Sequence, residues 1–370
     1  MDIMKKYKQL INCLMLAVLA VPALSSCSDW TDTESLEFDY VLPSEQDPDA
    51  YNAYLGLLRE YKQSQHKIMI AKFDNSGDLV SGQSDRLSAL PDSIDYVVLQ
   101  EADNLKSVLV QDKNDIRQQK GTRTLYAISY ADALARYQAI LDEEEAASQN
   151  PDGQADDAEG EGGDQPETPA ADRFLEVAAQ YVNDMLALYD KYGYDGIVVV
   201  YSDPAYPAGL SEKEYTQLEA RQEAFFAPIQ AWAESHQEAA FIFEGYPQNV
   251  IDPSVFTQAD YVVVTMIDAV SSDEVVWAAE MALTEGVPSD RIIFGVTIPD
   301  MTDDKATDGY FSQTDAAGNS QYAVVGAAYT VISPSGSFTK AGLCVDNVED
   351  DYFNVDYIYP HVREAIQIMN

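Results

Sequence analysis

The chain is poor in cysteine, histidine and basic residues. It holds three Cys (Cys13, Cys27, Cys344) and three His (His66, His236, His361) in 370 residues, all far apart. A structural zinc site needs four close-spaced ligands of these types, so no metal or other cofactor is expected. Lys+Arg number 22 against 63 Asp+Glu, a formal net charge of -41. So acidic a surface repels phosphate backbones, which excludes nucleic acid as a partner. Neutral ligands stay open, and sugars are the large class among them. Beyond the N-terminus no apolar run reaches the ~18 residues of a membrane span. No Walker motif is present and no G-x-G-x-x-G follows the first strand-like segment, so nothing marks a nucleotide site. Core material is ample at 46% apolar residues, so the chain is not globally disordered. The length suits roughly two domains or one large α/β barrel.

The first residues have the order of an export signal. Lys5, Lys6 and Lys8 make a basic start, and Leu10 to Leu24 is a mostly apolar run too short to span a bilayer. Leu24-Ser25-Ser26-Cys27 resembles a bacterial lipobox, in which the Cys is acylated and becomes the mature N-terminus. Ser28, Asp29, Asp32 and Glu34 then resemble the surface-export signal of Bacteroidetes lipoproteins. The resemblance implies a signal peptide over 1–26, lipidation at Cys27 and a surface tether over 27–50. It places the protein on the outer membrane, held by its lipid anchor and exposed at the cell surface. With Cys13 removed and Cys27 lipidated, only Cys344 remains, and no intramolecular disulfide can form.

From residue 51 the pattern alternates between strand and helix. Eight short runs are apolar on both faces: 67–74, 94–100, 124–129, 196–201, 240–244, 261–266, 291–297 and 342–346. Strands buried on both faces belong to parallel sheets. Helical spacing fills 51–65, 105–120, 173–192, 211–236, 272–285 and 359–369. Eight such units predict a single-domain (β/α)8 TIM barrel over 51–370. Residues 142–172 carry twelve acidic residues and no basic ones among Gly, Pro, Ala and Gln. They predict an acidic, disordered insertion between the third strand and the helix before the fourth.

The most informative stretch runs from Tyr192-Gly193-Tyr194-Asp195-Gly196 into Ile197-Val198-Val199-Val200-Tyr201-Ser202. As the fourth strand of a barrel it resembles glycoside hydrolase family 18, the chitinases and endo-β-N-acetylglucosaminidases, which carry D-G-x-D-x-D-x-E there. Asp195 and Gly196 match the opening. The other three acidic positions hold Val198, Val200 and Ser202. Side chains alternate along a strand, so these three share the inward face. The resemblance implies substrate-assisted hydrolysis, an exception to the two-carboxylate scheme. The last Glu protonates the glycosidic oxygen, and the Asp two residues before it orients the substrate acetamide. A serine hydroxyl is far too weak an acid to serve as the proton donor near neutral pH. Ser129-Tyr130-Ala131-Asp132 also departs from the family's S-x-G-G at the third strand. The eighth strand, 342–346, lacks the family's Trp.

The degenerate motif predicts a catalytically inactive, family-18-like lipoprotein. It would bind N-acetylglucosamine-containing glycans, of N-glycan or chitin type, for capture and uptake. Resemblance to Bacteroidetes lipoproteins encoded beside outer-membrane glycan importers adds a TonB-dependent importer as partner. Candidate glycan contacts at the strand ends are Asp74, Glu101, Tyr130, Tyr201, Glu244, Tyr246, Asp268 and Asp346. Trp232 and Trp277 fall within helical patterns and are assigned to the core. Two alternatives remain: an active glycosidase with a displaced acid, Glu244 or Glu101, and a structural or adhesive lipoprotein without a glycan ligand.

Overall fold

The computed structural model describes residues 43–148, 172–300, 307–314, 318, 320–334, 336–352 and 357–370. The expected signal peptide, Cys27 and the expected tether as far as residue 42 lie outside them, as do residues 149–171 of the expected acidic insertion. The chain divides into two compact units, Met1–Ala53 and Tyr54–Asn370. In the first, Asp47 Oδ1 accepts the Ala50 N–H at 3.0 Å and starts helix α1 (Pro48–Gln63). The second is the barrel.

Eight parallel strands close on themselves. They are β1 (Ile68–Phe73), β2 (Tyr96–Leu99), β3 (Arg123–Ser129), β4 (Gly196–Tyr201), β5 (Ala240–Gly245), β6 (Tyr261–Thr265), β7 (Ile292–Thr297) and β10 (Lys340–Asp346). β10 pairs with both β7 and β1, which completes the ring. The eight apolar runs seen in the sequence are these eight strands, and the protein is a (β/α)8 TIM barrel. Alternation sorts their side chains. Ile70, Val98, Leu125, Val198, Ile242, Val263, Ile293 and Cys344 point inward and fill the lumen. Val97, Ile128, Val199, Phe243, Phe294 and Leu343 point outward and pack under the helices. A closed ring has no exposed edge, and apolar filling of both faces is its main source of stability.

The covering helices are α2 (Ser107–Lys120), α3 (Tyr130–Ser148), α4 (Phe174–Tyr192), α5 (Glu212–Ser235), α6 (Ser272–Ala282), α7 (Ala323–Ile332) and α8 (Pro360–Met369). Ser211 and Glu214 form a reciprocal capping box that starts α5. Three features depart from the sequence reading. Residues 142–148, assigned to the disordered insertion, continue helix α3. A hairpin of β8 (Tyr310–Thr314) and β9 (Ser320–Tyr322) precedes α7. The β1–β2 and β5–β6 crossovers carry only 3₁₀ turns, at Leu87–Ala89 and at Pro247–Asn249 and Pro253–Gln258.

The retained Asp-Gly pair sits at the N-terminal end of β4, away from the mouth. Asp195 is ion-paired with Arg117 of α2 at 2.8 Å and accepts the Thr124 N–H of β3 at 2.8 Å. A Cβ on Gly196 would lie 2.1 Å from the Ala240 carbonyl oxygen, so only glycine fits against β5. Both residues hold strands together. Asp195→Ala is therefore expected to lower the unfolding free energy by about 1–3 kcal/mol, because it strands a backbone donor and a guanidinium. Urea denaturation reads this, and a variant as stable as wild type would refute the structural role.

Candidate functional site

The C-terminal ends of the strands form the mouth, where TIM barrels place their chemistry. Above the apolar filling, the inward residues turn polar. Lys72 from β1 donates to Glu244 Oε1 of β5 at 2.9 Å and to Asp346 Oδ2 of β10 at 3.0 Å. β1 and β5 stand on opposite sides of the ring, so the Lys72 side chain crosses the lumen. The three side chains are 17%, 7% and 19% exposed. Burial alone depresses an ammonium pKa. Here Glu244 and then Asp346 outweigh it, and the Lys72 pKa is raised above its ordinary value. Below them the Cys344 thiol is fully buried, and burial pushes its pKa up, so it is no nucleophile.

β4 delivers no carboxylate to this space. Val198 belongs to the apolar filling, Val200 lies half-buried beside Glu244 in register, and Ser202 is exposed at the rim. Glu244 lies where a displaced acid was sought. Its Oε1 is engaged by the Lys72 ammonium. Its Oε2 is buried and has no hydrogen-bond partner among the described residues. It is an open acceptor next to the position at which the resembled motif carries its acetamide-orienting Asp.

The other strand-end candidates separate into rim and core. Asp74, Glu101 and Asp268 are exposed on the rim and Tyr246 is half-exposed beside it. The Asn75 side-chain amide links the β1 and β2 ends by bonding the Glu101 N–H at 2.8 Å and carbonyl at 2.9 Å. Glu101 is thus placed by its backbone, with its carboxylate free to turn outward. Tyr130 and Tyr201 do not face a ligand. They are 2% and 0% exposed and pack together, centroids 4.9 Å apart, with Phe174, Phe225 and Phe226 under the helices. Tyr201 is an outward-facing position of β4, and its hydroxyl is bonded by Gln222 at 2.6 Å. The assignment of these two tyrosines to a glycan is corrected accordingly. Trp232 packs against the core, stacked on His236. Trp277 does not, being 63% exposed.

Two mouth residues escaped the sequence reading. Lys72 had a usable signal, a lone charge at an inward position of an otherwise apolar strand, which must find a partner inside the barrel. Glu349 had none. It lies in the 3₁₀ turn Val348–Asp351 after β10, where its Oε2 accepts the Asp74 N–H at 3.2 Å. Burial, helped by Asp350 and Asp74, raises its pKa from 4.5 to about 7. Among the described residues no group of His, Cys, Asp and Glu has the geometry of a metal site.

Two outcomes are expected. Lys72→Met leaves Glu244 and Asp346 facing each other unpaired and costs roughly 3–5 kcal/mol, whereas adding Glu244→Gln and Asp346→Asn recovers much of that loss. Equilibrium denaturation of the single and triple variants measures both. Glu349 keeps its proton up to about pH 7 in the folded chain, while the unfolded chain releases it near 4.5. Folded protein then binds more protons between these values, so this group's contribution to stability falls as pH rises through that window. Urea midpoints at pH 5 and 7.5 are expected to differ less for Glu349→Gln than for wild type.

Comparisons with known proteins agree with this architecture. The family model for glycoside hydrolase family 18, BT1044-like, matches residues 31–368. No curated protein matches the chain in sequence. Among solved structures, a selenomethionine Glu→Gln variant of BT1044 is similar with a TM-score of 0.57 at 17% identity, over 89% of this chain and 96% of that one. An endo-β-N-acetylglucosaminidase from Cordyceps militaris gives 0.53 at 15% identity, over 86% and 96%. A family 18 chitinase from Pseudoalteromonas aurantia gives 0.50 at 14%, over 81% and 99%. At such identities the structures speak for the fold alone. The family model spans nearly the whole chain, from within the expected tether to the last helix, and the chain belongs to glycoside hydrolase family 18, in its BT1044-like group.

Proposed function

We propose that this protein captures N-acetylglucosamine-containing glycans at its barrel mouth without hydrolysing them. The observation that carries the proposal is the inward face of β4, where Val200 and Ser202 stand at the positions of the orienting Asp and the acid. A positioned general acid contributes about 10²–10⁴ in rate, and this strand offers none. The mouth keeps what binding needs. Glu244 Oε2 is an unpaired acceptor suited to an acetamide N–H, the Lys72 ammonium is fixed beside it, and Asp74, Glu101 and Asp268 surround them. A double mutant of the Cordyceps militaris enzyme was solved with fucosyl-N-acetylglucosamine-Asn, which supports the choice of sugar. The lipobox-like Leu24–Cys27 supports a lipid-anchored position on the outer membrane. There the captured glycan would pass to an importer, and the TonB-dependent class is the partner proposed.

One observation favours a second reading, hydrolysis by a displaced acid. Glu349, with a pKa of about 7, holds a proton at neutral pH on the rim of the mouth. It joins Glu244 and Glu101 as a candidate for that role.

Isothermal titration with a free N-glycan, together with mass spectrometry of the glycan after prolonged incubation, tests both readings. Binding with no shortened product is expected, as is a Kd raised about tenfold by Glu244→Ala, which removes a charged acceptor. A shortened glycan formed by wild type and abolished by Glu349→Gln would overturn the capture reading. Absence of binding to N-glycan and chitooligosaccharide alike would leave the structural or adhesive role.

A further inference from the structure

We propose that a groove beside the mouth, opened by the missing helix between β5 and β6, is a second carbohydrate subsite for a neutral hexopyranose. This extends the glycan-capture reading but stands on different residues.

The β5–β6 crossover consists of 3₁₀ turns where the barrel pattern puts a helix. The flank of α6 on that side therefore has no helical neighbour. Trp277 and Met281, one turn apart on α6, are 63% and 54% exposed, and Tyr206 of the β4–α5 loop across from them is 55% exposed. Between them lies a cavity of about 680 Å³, within the roughly 300–1,000 Å³ of small-ligand sites. It lies near the mouth. Tyr246, two residues after Glu244, and Thr265, at the end of β6, line it as well.

The lining decides among occupants. A pyranose has an apolar C–H face and a hydroxyl edge, and an exposed indole or phenol ring is an amphipathic platform of matching size. Hydroxyl edges need partners. Gln248 Oε1 and Thr265 Oγ1, both on the lining, are buried polar atoms with no hydrogen-bond partner among the described residues. Among the described residues no Lys, Arg or His lines the cavity and Glu280 does, so an anionic sugar meets repulsion. A protein partner fits less well. Three partly exposed side chains supply at most roughly 400 Å², about half of what one side of a stable interface buries. A second copy of this chain brings the same -41 charge to the contact.

Trp277 provides its own signal. Of the three tryptophans, Trp232 is stacked on His236 and Trp30 precedes the barrel. The test titrates the full chain with neutral galactose- and mannose-containing oligosaccharides, and with a glucuronide as the anionic control, following tryptophan emission. Wild-type emission is expected to change saturably with a neutral sugar and not with the glucuronide. Trp277→Ala abolishes the change without altering Tm, and Trp277→Phe keeps weakened binding by calorimetry. In titrations with chitobiose and with a whole branched N-glycan, Trp277→Ala leaves the first Kd unchanged and raises the second about tenfold. Equal Kd values for wild type and Trp277→Ala against the branched glycan, with no Trp277-dependent emission change, would sink the subsite while leaving capture at the mouth intact. Emission changes with neutral sugars but no chitobiose binding would sink the mouth reading and keep the subsite.

Discussion

A single ammonium, reaching across the lumen from β1, sets the character of the barrel's upper end. Without Lys72 the inward face would confront Glu244 with Asp346, two carboxylates in a space closed from below by Val198, Ile242 and Cys344. Desolvating three charged groups costs more than filling the layer with aliphatic side chains, as the layer beneath is filled. Stability alone does not account for the arrangement. Its consequence is a cross-linked polar floor with one buried carboxylate oxygen, Glu244 Oε2, left without a hydrogen-bond partner among the described residues. Every group that a ligand in the mouth can meet is placed relative to that floor.

The same geometry separates two things that a sequence motif joins. The Asp-Gly opening and the acidic close of the family 18 motif lie at opposite ends of one strand. Asp195 and Gly196 serve the lower end, one as the anchor for Arg117 and Thr124, the other by letting β5 approach. The upper end carries the chemistry. Loss of acids at the mouth leaves the barrel's closure untouched, so a chain can keep the fold after losing the carboxylates. The Asp-Gly half of the motif serves strand pairing, and Val200 and Ser202 stand where the family pattern carries carboxylates.

How far the sequence disclosed this depended on which force decides each feature. All eight barrel strands were legible, because burial on both faces forces unbroken runs of Val, Ile and Phe. Helix α3 was missed because it starts at Tyr130 directly after β3, without a spacer, and ends in an acidic stretch that resembles disordered composition. The ten residues of α7 are nearly all buried and lack the polar face that marks a helix. Parity along β4 correctly sent Val198, Val200 and Ser202 inward. The same parity sends Tyr201 outward, and placing it on a ligand gave nearness to the strand end too much weight. Trp277 shows the converse. Its spacing in α6 fits a buried face, but what buries a helix face is a neighbour, and the absence of a helix after β5 is a tertiary fact that no local pattern carries. The partnership of Lys72 is likewise tertiary, joining residues 172 positions apart.

The acidity of the chain has a further consequence once its few cations are located. Lys62, Lys113 and Lys340 spend their ammonium groups on backbone carbonyls of Ile94, Gly193 and Thr330. Arg86, Arg117 and Arg221 are paired with Asp112, Asp195 and Asp172. These cations are committed to the interior or to partners. The field at the surface remains strongly negative, with 22 basic residues against 63 acidic, and an anionic ligand meets net repulsion. On the proposed capture reading, a sulfated or sialylated arm would meet that field, while an uncharged glycan would be held by short-range contacts alone. The proposal of a neutral ligand, first suggested by what the composition excludes, agrees with where these six positive charges have gone.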